Sequence, residues 1–167
     1  MTRSSVLTGA VTMNQRLRVK PESVVVVHEV KTVDGWVLAA EFDGYGPLNA
    51  SILKRRTHHY QGIYALQPVG DTWVVQASSV GGAGAAAKRS RVWSRYGGFG
   101  EVLGGWVADP NGVRIRLTDW EGRVLTADVH GQVAMLSWAS DEFGGVASTE
   151  LLSESGDVIA QDTASRV

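Results

Sequence analysis

Cysteine is absent from this chain of 167 residues. Its absence excludes disulfide frameworks, thiolate zinc sites, iron–sulfur clusters and thiol nucleophiles. A chain of this length buries about two-thirds of its unfolded surface, so we expect it to fold without a disulfide or a metal. No apolar run approaches the roughly 20 residues that a membrane-spanning helix requires. Residues 1–13 show no signal-peptide core, so we expect either a cytoplasmic protein or one whose leader has been removed.

An excess of charge of one sign is also absent. The 16 Lys and Arg against 17 Asp and Glu give a net charge of −1. A global basic field for nucleic acid is therefore not expected. Within the chain, residues 1–97 hold 12 basic against 6 acidic residues (+6), and residues 98–167 hold 4 against 11 (−7). This split predicts either attraction between the halves, within one chain or head to tail between chains, or two independently solvated surfaces.

Helical periodicity is scarce, and period-two alternation dominates the first half of the chain. Val24–Val30 and Trp36–Phe42, separated by Asp34-Gly35, predict a β-hairpin. Asp43–Pro47 is a cluster of strand-breaking residues. Three further strands are predicted at residues 49–56, 61–67 and 72–78.

The second half shows the same pattern of strands and turns. Val113, Ile115 and Leu117 are predicted to point inward, and Arg114 and Arg116 toward solvent. The predicted strands cover residues 104–108, 113–118, 124–129, 133–138, 146–152 and 158–160. Turn residues recurring at this spacing are typical of a sandwich or barrel.

The sequence therefore predicts an all-β protein of two small antiparallel modules, a meander and an Ig-like sandwich, packed together. The meander would occupy residues 1–80 and the sandwich-like module residues 98–167. Residues 81–97, rich in Gly and Ala at their start, would connect them. The alanines also allow a short helix over residues 83–91.

Several short motifs of the second half resemble a known group of proteins. These are Gly-Trp-Val-Ala-Asp-Pro at 105–110, His-Gly-Gln-Val at 130–133 and Leu-Leu-Ser-Glu-Ser-Gly-Asp at 151–157. The stretch resembles the C-terminal β module of a loose group of uncharacterised bacterial proteins, many of them exported or lipid-anchored. The resemblance covers about residues 24–160 and implies a small Ig-like or carbohydrate-module-like sandwich preceded by a meander. It implies no active site, and this sequence shows neither the leader nor the lipobox cysteine of that group.

Two basic clusters with aromatic neighbours are the predicted contact regions. Such clusters hold phosphates, stack bases or meet an acidic surface. We expect an acidic protein or polymer partner more than nucleic acid, and a plain solvated loop is the other interpretation. Trp120, in a predicted turn, and Trp93 contribute either to binding or to local packing. The predicted contact residues are Lys54, Arg55, Arg56, His58, His59, Tyr60, Lys88, Arg89, Arg91, Trp93, Arg95 and Trp120.

No complete catalytic, metal-binding or cofactor-binding set is recognised. His58 and His59 are adjacent, and neighbouring strand residues point to opposite faces, which does not suit one metal ion. The glycine-rich segment Tyr96–Val102 only superficially resembles a kinase phosphate loop, because residues 103–167 contain no Lys.

The leading hypothesis is a non-enzymatic binding module, with a homo-oligomer as one option. The alternatives are a structural subunit of an assembly, of the shell or virion decoration type, and a small hydrolase or metal-dependent enzyme.

Overall fold

The structure is a computed structural model that describes residues 3–12, 18–45, 57–82, 90–138 and 144–164. The chain divides into two compact units, Met1–Ala83 and Gly84–Val167. The predicted all-β class is confirmed. The first unit contains α1 (Arg3–Thr12), β1 (Arg18–Val19), a 3₁₀ turn (Pro21–Ser23), β2 (Val25–Lys31), β3 (Trp36–Tyr45), β4 (His58–Val69) and β5 (Thr72–Gly82). The second contains β6 (Trp93–Phe99), β7 (Val102–Val107), β8 (Arg114–Asp119), β9 (Val124–Asp128), β10 (Val133–Ser137), β11 (Val146–Leu152) and β12 (Val158–Thr163).

The first unit is one antiparallel sheet in which consecutive strands from β2 to β5 pair as a meander. The strand order is β1-β3-β4-β5, and β2 lies beside β3 on the same side as β1. The predicted β2–β3 hairpin is present. β4 and β5 are joined by a turn at Gly70-Asp71, where Gly70 has a φ of +57° that glycine adopts without strain.

One face of this sheet forms the core of the first unit together with α1. Leu38 and Phe42 are four residues apart on β3, so their side chains lie on the same face of the sheet, and both are fully buried. Leu7 and Val11 from α1 join the same cluster. They are four residues apart, so they share one side of the helix. With Val6 and Ala10, this pair is the sequence signal for α1, and it is weak because Ser, Thr and Gly make up half of the helix.

Strand pairing overrides several local signals at the ends of these strands. β3 continues through Asp43–Tyr45, which were predicted to break it, because β1 and β4 pair with these residues. β5 continues to Gly82, inside the predicted connector, because Gly82 pairs with Tyr60. The predicted strand at 49–56 lies outside the described residues, as do residues 83–89 of the predicted helix.

The second unit is a sandwich of two antiparallel sheets. The sheets have the strand orders β10-β7-β6 and β12-β11-β8-β9. The described part of this unit has seven strands divided three and four between the sheets, as is typical of immunoglobulin-like sandwiches. Both sheets contribute to one core, with Ile115 and Leu117 from β8 beside Ala134 and Leu136 from β10.

Two details of the second unit differ from the sequence prediction. β6 begins at Trp93, so residues 93–97 of the predicted connector are part of a strand that pairs with β7. Val113 was predicted to point inward, but its side chain is 41% exposed. It precedes the first residue of β8 and belongs to the β7–β8 loop, whereas Ile115 and Leu117 are buried as predicted.

Candidate functional site

The predicted contact residues are distributed over three places in the structure. His58, His59 and Tyr60 begin β4. Arg91 is exposed just before β6, which contains Trp93 and Arg95. Trp120 lies in the turn between β8 and β9 and is half-buried. Lys54, Arg55, Arg56, Lys88 and Arg89 lie outside the described residues.

Two of the predicted aromatic contacts are buried. Trp93 is 3% exposed and belongs to the core of the second unit, so it has the packing role that the sequence left open. Tyr60 is 9% exposed, and its ring stacks on Phe42 with the ring centres 5.6 Å apart. Their rings stabilise the fold through burial.

His59 forms a polar cluster with acidic side chains across the β3–β4 pair. Its Nδ1 lies 3.0 Å from Oδ1 of Asp43, its direct neighbour in the register, and its Nε2 lies 3.4 Å from Oε2 of Glu41. Gln61, the register neighbour of Glu41, donates to that carboxylate at 3.1 Å. The hydrogen bond to Asp43 raises the pKa of His59 above its ordinary value, and Glu41 acts in the same direction against partial burial.

This cluster is a cross-strand bridge rather than a free basic contact. Protonated His59 is already matched by two carboxylates, so little of its positive charge remains for an acidic partner. Within the described ranges, no three His, Asp or Glu side chains are arranged to hold a metal ion.

The turn that carries Trp120 is organised by Asp119. The Asp119 carboxylate is buried and accepts hydrogen bonds from the backbone N–H of Glu121 (3.0 Å), Arg123 (2.7 Å) and Gly144 (3.2 Å). It also accepts one from Nε of Arg123 at 2.5 Å. Burial acts to raise the pKa of Asp119, but these hydrogen bonds and the Arg123 charge outweigh it and lower the pKa to about 2. Because its oxygens are occupied in this way, Asp119 is suited to holding the turn and not to proton transfer.

A second carboxylate fixes the start of β6. Asp162 on β12 accepts hydrogen bonds from Oγ of Ser90 (2.5 Å) and from the backbone N–H of Arg91 (2.9 Å) and Val92 (3.2 Å). Burial raises the pKa of Asp162, but these donors outweigh it and leave the pKa lowered. This arrangement anchors the backbone of Arg91, whose side chain is exposed.

Three loops meet at one end of the sandwich, which we call the loop end and define as residues 108–113, 129–132 and 153–157. Arg114, the first residue of β8, pairs with the last residues of both β9 and β11, Asp128 and Leu152. The three connections therefore leave the strands at the same end. The backbone N–H of Val113 donates to Leu152 (2.8 Å), and its carbonyl accepts from Val129 (2.8 Å).

The loop end contains an open groove of about 740 Å³. It is lined by Pro110, Asn111, Val113, Ser153, Glu154 and Ser155. Both walls are fixed by short-range hydrogen bonds. Asp109 accepts from the backbone N–H of Asn111 at 2.8 Å, and Oγ of Ser153 accepts from the backbone N–H of Asp157 at 3.1 Å.

The third loop is a tight turn in an unusual conformation. Gly131 and Gln132 both have positive φ, +56° and +68°, between the paired residues His130 and Val133. A type I′ turn favours Gly or Asn at such positions, and glutamine there costs about 1–2 kcal/mol. Gln132 is the only non-glycine residue with positive φ in the described part of the chain.

Sequence reasoning missed the loop end as a site. The connections between the predicted strands 104–108 and 113–118, and between 146–152 and 158–160, follow from the sequence, but only the pairing of β8 with both β9 and β11 brings them together. The available signal was the turn chemistry alone, which is common to surface loops that bind nothing.

Comparisons with protein-family models, with curated proteins and with solved structures found no match to this chain. The resemblance to exported bacterial β modules therefore stays a prediction. No helix in the described residues is long and apolar enough to span a membrane.

Proposed function

We propose that this protein is a non-enzymatic binding module that engages another protein or a surface polymer through the loop end of its second unit. The observation that carries the proposal is the groove between the β7–β8 loop and the β11–β12 turn. Loops on a rigid sandwich are a common place for recognition, because the scaffold holds them while their sequences vary.

The form of the groove favours a macromolecular partner. An enclosed pocket buries most of a small ligand, whereas this groove is open and about 740 Å³ in volume. Its hydrogen-bonded walls are already ordered, which reduces the entropy lost on binding. The strained Gln132 at the same end also supports a binding role, because unfavourable backbone conformations are often retained at functional sites.

The lining supports binding more than hydrolysis. Its six residues include one carboxylate, that of Glu154. Glycoside hydrolysis requires two carboxyl groups facing across a cleft, and a nucleophilic serine requires an adjacent base.

The predicted basic contacts, of which Arg91 is exposed in the structure, remain a second part of the proposal, directed at an acidic partner.

Site-specific photo-crosslinking in the cells that make the protein tests this proposal. A benzophenone amino acid at Glu154, exposed at the groove, should give a discrete crosslinked product. The same amino acid at Thr126, exposed on β9 away from the loops, is the matched control and should give none. Equal products from both positions, or none from Glu154, would contradict a binding role for the loop end.

A further inference from the structure

The loop end carries negative charge without basic residues of its own. Its three segments contain Asp109, Glu154 and Asp157 but no Lys or Arg. Within the part of the chain that the structure describes, none of these three carboxylates forms an ion pair. Arg114, which follows the first segment, is already matched by Asp128, since its Nε lies 2.9 Å from Oδ1 of that residue. The groove therefore presents uncompensated negative charge to solvent.

The serine hydroxyl groups of the β11–β12 turn have no proton left to donate to a partner. Ser155 donates its one hydroxyl proton to Oδ2 of Asp157 at 2.6 Å. The hydroxyl oxygens of Ser153 and Ser155 lie 2.8 Å apart, so the proton between them is that of Ser153. Both serines line the groove, and their hydroxyl groups can only accept further hydrogen bonds.

The opposite wall of the groove uses its donors internally in the same way. Asn111 donates from its backbone N–H (2.8 Å) and from Nδ2 (3.0 Å) to Oδ1 of Asp109. The backbone N–H of Gly112 donates to the carbonyl oxygen of Asp109 at 3.1 Å. The side chains of this wall keep one amide proton of Asn111, against the acceptor oxygens of Asn111 and Asp109. A partner that fills the groove must therefore supply hydrogen-bond donors.

We propose that the groove of the loop end binds an extended protein segment rich in Lys or Arg, an inference that rests on the binding role proposed above. An ammonium group supplies three N–H donors and a guanidinium five, and neither group accepts. Their positive charge complements the three carboxylates, which directs encounter and orientation. The apolar part of the lining, Pro110 and the 41% exposed Val113, suits the methylene stems of these long side chains.

The same chemistry disfavours the other classes of partner at this groove. An acidic segment would bring acceptors to a surface of acceptors and would place like charges together. The hydroxyl groups of a neutral polysaccharide can donate, but they would cover the exposed Glu154 without supplying a counter-charge, and covering an unmatched charge is costly. A basic protein segment satisfies both the donor requirement and the charge.

Amide chemical shifts of the full chain, titrated with short synthetic probes, test this inference. A peptide of alternating Lys and Ala should shift residues 109–113 and 153–157, whereas a Glu–Ala peptide of the same length should not. The affinity for the Lys–Ala peptide should fall as salt rises from about 50 to about 200 mM, because exposed charge pairs are screened.

Two matched neutralisations test whether the groove, and not net charge, binds the Lys–Ala peptide. Glu154→Gln should raise the Kd for this peptide about two- to fivefold, the effect of losing one exposed charge pair. Glu121→Gln removes a carboxylate that is 58% exposed in the β8–β9 turn, at the other end of β8 from the loop end. This control should leave the Kd unchanged. Equal effects of the two variants would overturn the proposal.

Further outcomes separate a failure of this inference from a failure of the proposed function. If the Lys–Ala peptide does not shift the loop end, the basic partner is wrong. Loop-end shifts with the Glu–Ala peptide or with cellohexaose instead would keep the groove as a binding site for a different partner. In cells, a benzophenone amino acid at Asn111 keeps all three carboxylates, and its crosslinked product should contain a Lys- or Arg-rich segment. A product with a neutral or acidic segment would overturn this inference alone, whereas the absence of any product would overturn the binding role as well.

Discussion

The two units bury their apolar side chains in different ways. The first has a single sheet, and its core depends on a helix whose Leu7 and Val11 cover one face. In the described residues of the second unit, two sheets face each other and share Ile115, Leu117 and Leu136 without a helix between them. A core between two sheets requires only the alternating apolar pattern of β-strands. A core between a sheet and a helix requires that pattern and the helical one together. The difference explains why the second unit was the easier to predict.

The polar groups of the two units also differ in kind. In the first unit, His59 bridges two carboxylates at a site where its own side chain is 48% exposed. In the second, Asp119 and Asp162 accept hydrogen bonds from backbone N–H groups of loops. The second unit therefore uses ionised carboxylates to shape its connections, and its stability should depend on their charge.

Dividing the chain at the observed boundary changes the charge comparison. Residues 1–83 hold 8 basic and 6 acidic residues (+2), and residues 84–167 hold 8 and 11 (−3). The predicted +6 and −7 arise because Lys88, Arg89, Arg91 and Arg95 were counted with the first half, although they belong to the second unit. Head-to-tail attraction thus loses much of its electrostatic basis.

Matched core substitutions should give the largest effects. Leu38→Ala in the first unit and Leu117→Ala in the second each remove a side chain that is 0% exposed. Each should lower the free energy of unfolding of its own unit by about 2–5 kcal/mol, through lost burial and the cavity left behind. Amide hydrogen exchange measured along the chain would show which strands lose protection.

The exposed Val74→Ala on β5 is the control for these variants, and it should change stability far less. We expect Leu117→Ala to lower protection in β6–β12 and to leave β2–β5 protected. Loss of protection in both units from either leucine would show that they unfold as one, and the comparison between two separate cores would then fail.

Acid sensitivity should come next in size and should be located in the second unit. The pKa of Asp119 falls from 3.8 to about 2 on folding, so its ionised form stabilises the fold above pH 3.8 and this contribution is lost as pH falls toward 2. Asp119→Asn should destabilise the second unit at neutral pH, because an amide cannot accept at both ends. The difference in the free energy of unfolding between the wild type and Asp119→Asn, measured in urea, should disappear between pH 4 and pH 2.

Asp128→Asn is the matched control for this titration, because Asp128 is 59% exposed and pairs with Arg114 at 2.9 Å. It should have little effect at any pH. If the difference in the free energy of unfolding between the wild type and Asp119→Asn stayed constant down to pH 2, the stabilising effect of Asp119 would not depend on its negative charge.

The class of fold and most strand positions were predictable from the sequence, for a physical reason. Alternation such as that of Ile115 and Leu117 reports directly which side of a strand is buried. Strand ends were less predictable, because Asp43–Tyr45 are extended by neighbours that are distant in sequence. Helix α1 was missed because it has only ten residues, half of them Ser, Thr or Gly, which is too short and too polar a segment to establish a helical period.

The candidate site was less predictable than the fold. Basic and aromatic residues stand out in a sequence, but composition does not show that Trp93 is buried or that His59 already faces Asp43. The groove is built from common turn residues such as Asn111 and Ser153. Their proximity depends on sheet order, which no local pattern contains.

The smallest effect expected is a pH dependence of opposite sign in the first unit. The hydrogen bond to Asp43 raises the pKa of His59 in the folded state above 6.5, so its contribution is complete below pH 6.5 and is lost as pH rises through the raised pKa. Since the side chain is 48% exposed, the gain should be below about 1 kcal/mol. His59→Gln should remove the slope of the unfolding free energy of the first unit above pH 6.5, measured in urea, whereas His58→Gln, one residue away on the other face, should leave this slope. If both variants keep the slope, another group in the first unit titrates there. The contrast between an acid-sensitive sandwich and a base-sensitive sheet would then not rest on His59.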